Sequence, residues 1–150
     1  MELSLFEEVA EVVRGLLPDD LGALRCRCRR YGVKVWFGAE QPAKEHYEAQ
    51  IIGASAVDGA SVLAIEVGFH AEHPGAAAND AVISRLAARE EYWRSDLGAE
   101  AEVGAFLGRA ESWRRISETW PDPDLSDTEI GFELGARLAD YIIALERIRR

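Results

Sequence analysis

The sequence predicts an α+β fold: an antiparallel sheet of four to five strands with helices packed on one of its faces. Three observations carry that expectation. Apolar residues recur at helical spacing near both ends of the chain, residues 24–72 alternate apolar with polar side chains, and turn signals rather than helices separate the alternating runs.

Ser4 and Glu7 have capping-box spacing, and Phe6, Val9, Ala10, Val13, Leu16 and Leu17 follow at helical intervals until Pro18, which predicts a first amphipathic helix. The period then changes to two. Leu24, Cys26 and Cys28 alternate with Arg25, Arg27 and Arg29, Tyr31-Gly32 turns, and Val33, Val35 and Phe37 alternate with Lys34 and Trp36, a β-hairpin pattern. After a loop around Gln41-Pro42, a third strand sets Tyr47, Ala49 and Ile51 against His46, Glu48 and Gln50. Beyond Asp58-Gly59, a fourth sets Leu63, Ile65, Val67 and Phe69 against Ala64, Glu66, Gly68 and His70. The sheet therefore has an apolar face and a polar face.

Parity constrains the connection at Asp58-Gly59. A two-residue turn would put Ile51 beside Glu66 and mix the two faces, so an odd-length loop or a bulge is expected, with His46 opposite or diagonal to His70.

A second helix is expected over residues 77–91, with Val82, Ile83, Leu86 and Ala87 as its buried stripe and Asn79 or Asp80 as its cap. Glycines 98, 104 and 108 interrupt residues 97–120, where a short strand near residues 113–120 competes with a helical turn. The Pro121-Asp122-Pro123-Asp124 breaker precedes a capping-box spacing at Ser126 and Glu129. A final helix follows, lined by Ile130, Leu134, Leu138, Tyr141, Ile142, Leu145 and Ile148. No repeat or long linker divides the 150 residues, so one domain is expected.

Composition excludes several classes. With 48% hydrophobic and 29% charged residues the chain is neither disordered nor a disulfide scaffold. No apolar run is long enough to span a bilayer, and Met1-Glu2-Leu3-Ser4 lacks the start of a secretory signal, so a cytoplasmic protein is expected. A formal charge of −10 disfavours nucleic acid as a partner. Among the 17 basic residues only Lys34 and Lys44 are lysines, a skew that suggests a high-GC bacterial source. Cys26 and Cys28 are spaced too closely for an ordinary disulfide and read as small, inert core residues.

Phosphate-binding loops, dinucleotide fingerprints, serine elbows, H-E-x-x-H helices and C-x-x-C pairs are all absent from the sequence. Chemistry is instead concentrated where His46 and Glu48 face Glu66, His70 and Glu72. One reading makes these residues a metal or acid–base site in which His46, His70 and a carboxylate of Glu48, Glu66 or Glu72 converge, as in a metal-assisted hydrolase or nuclease-like enzyme. The plainer reading makes them the solvated face of an antiparallel sheet, with Arg25, Arg27 and Arg29 supplying cross-strand ion pairs. His73 has the wrong parity to join His70.

Trp36 falls on the polar face and is expected to be partly exposed, whereas Trp93, Trp113 and Trp120 are expected to cover core edges, with Trp113 stacking on Arg114 or Arg115. The preferred functional reading is a binding or interaction module of the adaptor, regulator or immunity type. It would engage a protein partner or small ligand through Trp36, His46, Glu48, Glu66, His70, Glu72, Arg25 and Arg27, without metal or other cofactor. The metal-assisted enzyme is the alternative, with His46, His70 and Glu66 as its first metal candidates, and a homodimer contact is a third use of the same face.

Overall fold

The computed structural model describes residues 4–38, 43–108 and 110–150; Met1-Glu2-Leu3 and the loop expected at Gln41-Pro42 lie outside them. Chain order is α1 (Leu5–Leu16), β1 (Leu24–Arg29), β2 (Gly32–Phe37), β3 (Glu45–Gly53), β4 (Leu63–Ala71), α2 (Ala76–Ala87), α3 (Arg94–Leu97), β5 (Glu102–Ala105), β6 (Arg114–Pro121) and α4 (Ile130–Arg149). The strands form one six-stranded antiparallel sheet in the order β1-β2-β3-β4-β6-β5. The class is as the sequence predicts, with a strand count above the four or five expected. The extra strands come from residues 97–120, where β6 pairs with β4 and β5 forms the edge of the sheet beside β6.

The β3–β4 connection spans residues 54–62, an odd number, and pairs His46 directly with His70, Ala49 with Val67 and Ile51 with Ile65. Each strand thus keeps its apolar residues on one side. On that side α4 packs over β3 and β4, α1 packs over β1 and β2, and the two helices pack against each other. Phe6, Val9 and Val13 meet a core that includes Leu134, Leu138, Ile142, Val67 and Phe69. Leu138 and Ile142 are fully buried, so truncating either to Ala should cost about 2 to 5 kcal/mol. Close approach of the two helices depends on Gly135, because a Cβ there would lie 2.6 Å from the Val12 Cβ.

Several local expectations are corrected. Ser126 does not cap α4: its hydroxyl bonds to the Asp124 carboxylate at 2.6 Å, and the Asp127 side chain instead receives the Glu129 N–H at 2.9 Å. Asn79 is not a cap either, since α2 starts at Ala76 after Gly75. Its side chain accepts from the His73 N–H and donates to the His73 and Ser112 carbonyls, tying the exit of β4 to the approach of β6. α2 stops at Ala87, where the buried Trp93 indole N–H donates to the Leu86 carbonyl at 2.8 Å. Cys28 is exposed and Cys26 half-buried, because β1 is an edge strand that the helices cover only in part. Burial still raises both thiol pKa values, so neither is an activated nucleophile. Trp113 meets Phe106 edge-on at 5.2 Å rather than stacking on a neighbouring arginine. Among the described residues, no helix is long and apolar enough to cross a membrane.

Candidate metal centre

The polar face of the sheet is not solvated where the sequence placed solvent. His46, Glu48, Glu66, His70 and Ser117 are all buried, and Trp36, expected to be partly exposed, is 4% exposed. Part of the cover comes from the β5–β6 connection, whose Phe106 ring stands edge-on to the His70 ring at 4.7 Å. Nothing in the alternation of β3 and β4 could have signalled this, because the cover arrives from a distant, glycine-interrupted segment.

The strand register assembles the cluster. His46 and His70 are direct cross-strand partners with ring centroids 5.5 Å apart, and Glu48 and Glu72 each follow a histidine by two residues on the same face. Glu48 Oε1 lies 3.0 Å from His46 Nε2 and 3.2 Å from His70 Nδ1. Glu72 Oε2 lies 3.4 Å from His46 Nε2 and 3.1 Å from His70 Nδ1. One donor atom from each of the four residues lies within 4.8 Å of the other three. A tetrahedral ion with bonds of about 2.0 to 2.1 Å holds its ligand atoms about 3.3 to 3.4 Å apart, close to the four histidine–carboxylate separations.

The far nitrogens of the two rings fix their chemistry. His46 Nδ1 sits 2.9 Å from the Ala43 carbonyl, which can only accept, so Nδ1 carries a hydrogen. His70 Nε2 sits 2.8 Å from Glu66 Oε2 and 2.9 Å from Oε1 and donates to that carboxylate. Neutral rings in these tautomers would aim two lone pairs at two carboxylate oxygens. That is repulsive unless each inner nitrogen gains a proton or all four atoms share a cation. Histidine ligands usually have their outer N–H held by a carbonyl or carboxylate in this way.

Charge points the same way. Glu48, Glu66 and Glu72 are opposed by Lys34, whose Nζ lies 3.6 Å from Glu72 Oε1, so two negative charges remain to be neutralised in a buried place. Two imidazolium protons or one divalent cation do so equally well. In the protonated form, burial works against charge on both histidines. The hydrogen bonds of Glu48 and Glu72 still raise the His46 pKa, and the Glu66 charge with the surrounding carboxylates raises that of His70 well above its ordinary value. Burial alone would lift the carboxylates, but the histidines hold Glu48 down at about 2 and also lower Glu72 and Glu66.

Gly68 makes the outer contact of His70 reachable. Residues 66 and 70 are about 13 Å apart along an extended strand, so their side chains meet only by leaning toward each other over position 68. A Cβ there would also lie 2.4 Å from the Ile116 carbonyl oxygen and 2.6 Å from the Ser117 Cα.

Of the residues singled out from sequence, His46, Glu48, His70 and Glu72 converge, while Glu66 orients His70 from outside the donor set. Gln50 in turn donates to Glu66 at 2.9 Å. Arg25, Arg27 and Arg29 form none of the expected cross-strand ion pairs with described residues; they are exposed, with the nearest carboxylates of the face already committed to histidine and lysine. His73 lies apart, paired with Glu45 at 2.8 Å, as its parity requires. Sequence reasoning missed Lys34 and the Ala43 carbonyl. The first could have been found from the register, which sets Arg27, Lys34 and Glu48 in one row across β1, β2 and β3; the second is a backbone atom with no sequence signal. No protein-family model, curated protein or solved structure matches the chain.

Proposed function

We propose that this chain binds one divalent transition-metal ion through His46 Nε2, His70 Nδ1, Glu48 and Glu72 and uses it in metal-assisted hydrolysis, the reading the sequence placed second. The observation that supports it is the pair of buried imidazoles whose outer nitrogens are held by acceptors while their inner nitrogens face two carboxylates. A donor set of two imidazoles and two carboxylates suits Zn²⁺ or Mn²⁺. A tetrahedral zinc would have its coordination filled by the four side chains, whereas an octahedral manganese keeps positions for water and substrate. Glu48 also lines an open cavity on its far side, which gives solutes a route to the edge of the cluster. The interaction-module and homodimer readings draw on the exposed Arg25 and Arg27, but Trp36 is buried and offers no aromatic anchor.

Elemental analysis of protein purified without chelator, followed by Zn²⁺ and Mn²⁺ titration against melting temperature, tests the proposal. We expect close to one ion per chain and a rise in melting temperature that His70→Ala abolishes. Protein that neither retains nor responds to either ion would contradict the metal reading.

A further inference from the structure

We infer that the cavity beside the cluster binds a phosphate group, free or as the monoester of a small molecule, and presents it to the metal ion. The cavity has a volume of about 440 Å³ and is lined by Arg27 and Arg29 of β1, Arg30 of the following turn, Lys34 of β2 and Glu48 of β3. That volume is in the range of small-ligand sites. In a chain with a formal charge of −10, four cations around one concavity are conspicuous. Among the described residues Arg27, Arg29 and Arg30 form no ion pair, and Arg30 lies over the Tyr31 ring, so within that set no carboxylate competes with an oxyanion for their guanidinium donors.

Charges on an edge strand such as β1 also guard it against pairing with other chains, but that role needs no convergence. Here Arg27 and Arg29 share a face, and Lys34 comes from the neighbouring, interior strand. The planar fork of arginine matches phosphate oxygens. Size and overall charge exclude an extended polyanion as the preferred ligand.

The cavity also borders the proposed centre. Glu48 belongs to both, and Lys34 lines the cavity while pairing with Glu72 at 3.6 Å. A phosphate held by the arginines would therefore lie on the Glu48 side of the cluster, where a bound ion would supply Lewis-acid polarisation to a phosphoryl oxygen that reached it. The location of the bound anion rests on the metal reading; the anion site itself rests on the cavity.

The test uses the Mn²⁺-loaded full chain, with inorganic phosphate and phenyl phosphate followed by calorimetry and by ³¹P relaxation, which reports proximity to the paramagnetic ion. We expect binding with strong ³¹P relaxation. In the Arg27→Gln/Arg29→Gln variant, affinity should fall about tenfold or more, since charged hydrogen bonds are lost, while manganese content and melting temperature stay at wild-type levels. Arg14→Gln, on α1 and paired with Glu11 outside the cavity, should bind as wild type. Tighter binding of phenyl phosphate would identify an ester as the ligand, and tighter binding of inorganic phosphate the free anion. Unchanged affinity in the double variant, or no phosphate binding by manganese-loaded protein, would overturn the inference and leave the metal centre standing. Arginine-dependent phosphate binding by protein that takes up neither manganese nor zinc would support the anion site and overturn the metal reading instead.

Discussion

Glu118 and Glu146, on the helix side of the sheet, are buried and met by groups whose protonation is fixed at ordinary pH. Glu118 accepts from Arg137, Tyr141 and Trp120, and Glu146 from Arg149, Arg150 and Tyr47. On the opposite side Glu48 and Glu72 meet imidazole nitrogens, with a single lysine in support. Arginine does not release its proton, so the first arrangement can only hold helices to strands. Imidazole can exchange its proton for a metal ion, so the second has two charge-equivalent states. Burial of acid is thus no guide to function by itself; the chemistry of the partner separates the two regions.

The largest effect expected from breaking this contrast is structural. Arg137→Met leaves Glu118 buried with only its tyrosine and tryptophan donors, and urea unfolding should register a loss of about 3 kcal/mol. Metal uptake by the folded variant should be unchanged. On the other face, His70→Ala should forfeit the stabilisation that metal confers on the native state, about 2.7 kcal/mol at a metal concentration a hundredfold above Kd. Glu66→Gln keeps the side-chain shape but removes the charge that orients His70. Titration should show metal affinity about 10- to 100-fold weaker, with the stoichiometry retained.

The smallest effect is on pH dependence. The folded pKa of His70 is raised well above its ordinary value of 6.5, so its contribution is fully present below that value and is lost as pH rises through the folded pKa. Glu48 is lowered from 4.5 to about 2, so its contribution is present above 4.5 and lost as pH falls toward 2. Metal-free protein should therefore gain most from the cluster between pH 4.5 and 6.5. Metal-loaded protein should hold its stability to higher pH, because the ion replaces the histidine protons. Thermal melts across pH with and without Zn²⁺ would show the gap widening upward; a constant gap would argue against proton–metal exchange.

Much of the sheet was legible because alternation is a local signal: from Tyr47, Ile51, Ile65 and Phe69 alone, parity required an odd β3–β4 loop or a bulge and brought His46 opposite or diagonal to His70, and the register pairs them directly. The cluster itself was half legible. Its residues were visible, but their burial was not, since Phe106 comes from a segment without periodicity. Likewise Trp36 looked exposed because its strand position says which face it occupies and nothing about what covers that face. The capping-box spacing at Ser126 and Glu129 failed because Asp124 competes locally for the serine hydroxyl.

The central claim is that one divalent ion substitutes for the protons on His46 and His70. Calorimetric titration of Zn²⁺ at pH 6, in buffers of different ionisation enthalpy, measures that exchange directly. With both imidazoles protonated beforehand, we predict release of about two protons for each ion bound. Binding without proton release, or no binding of either Zn²⁺ or Mn²⁺, would contradict the account.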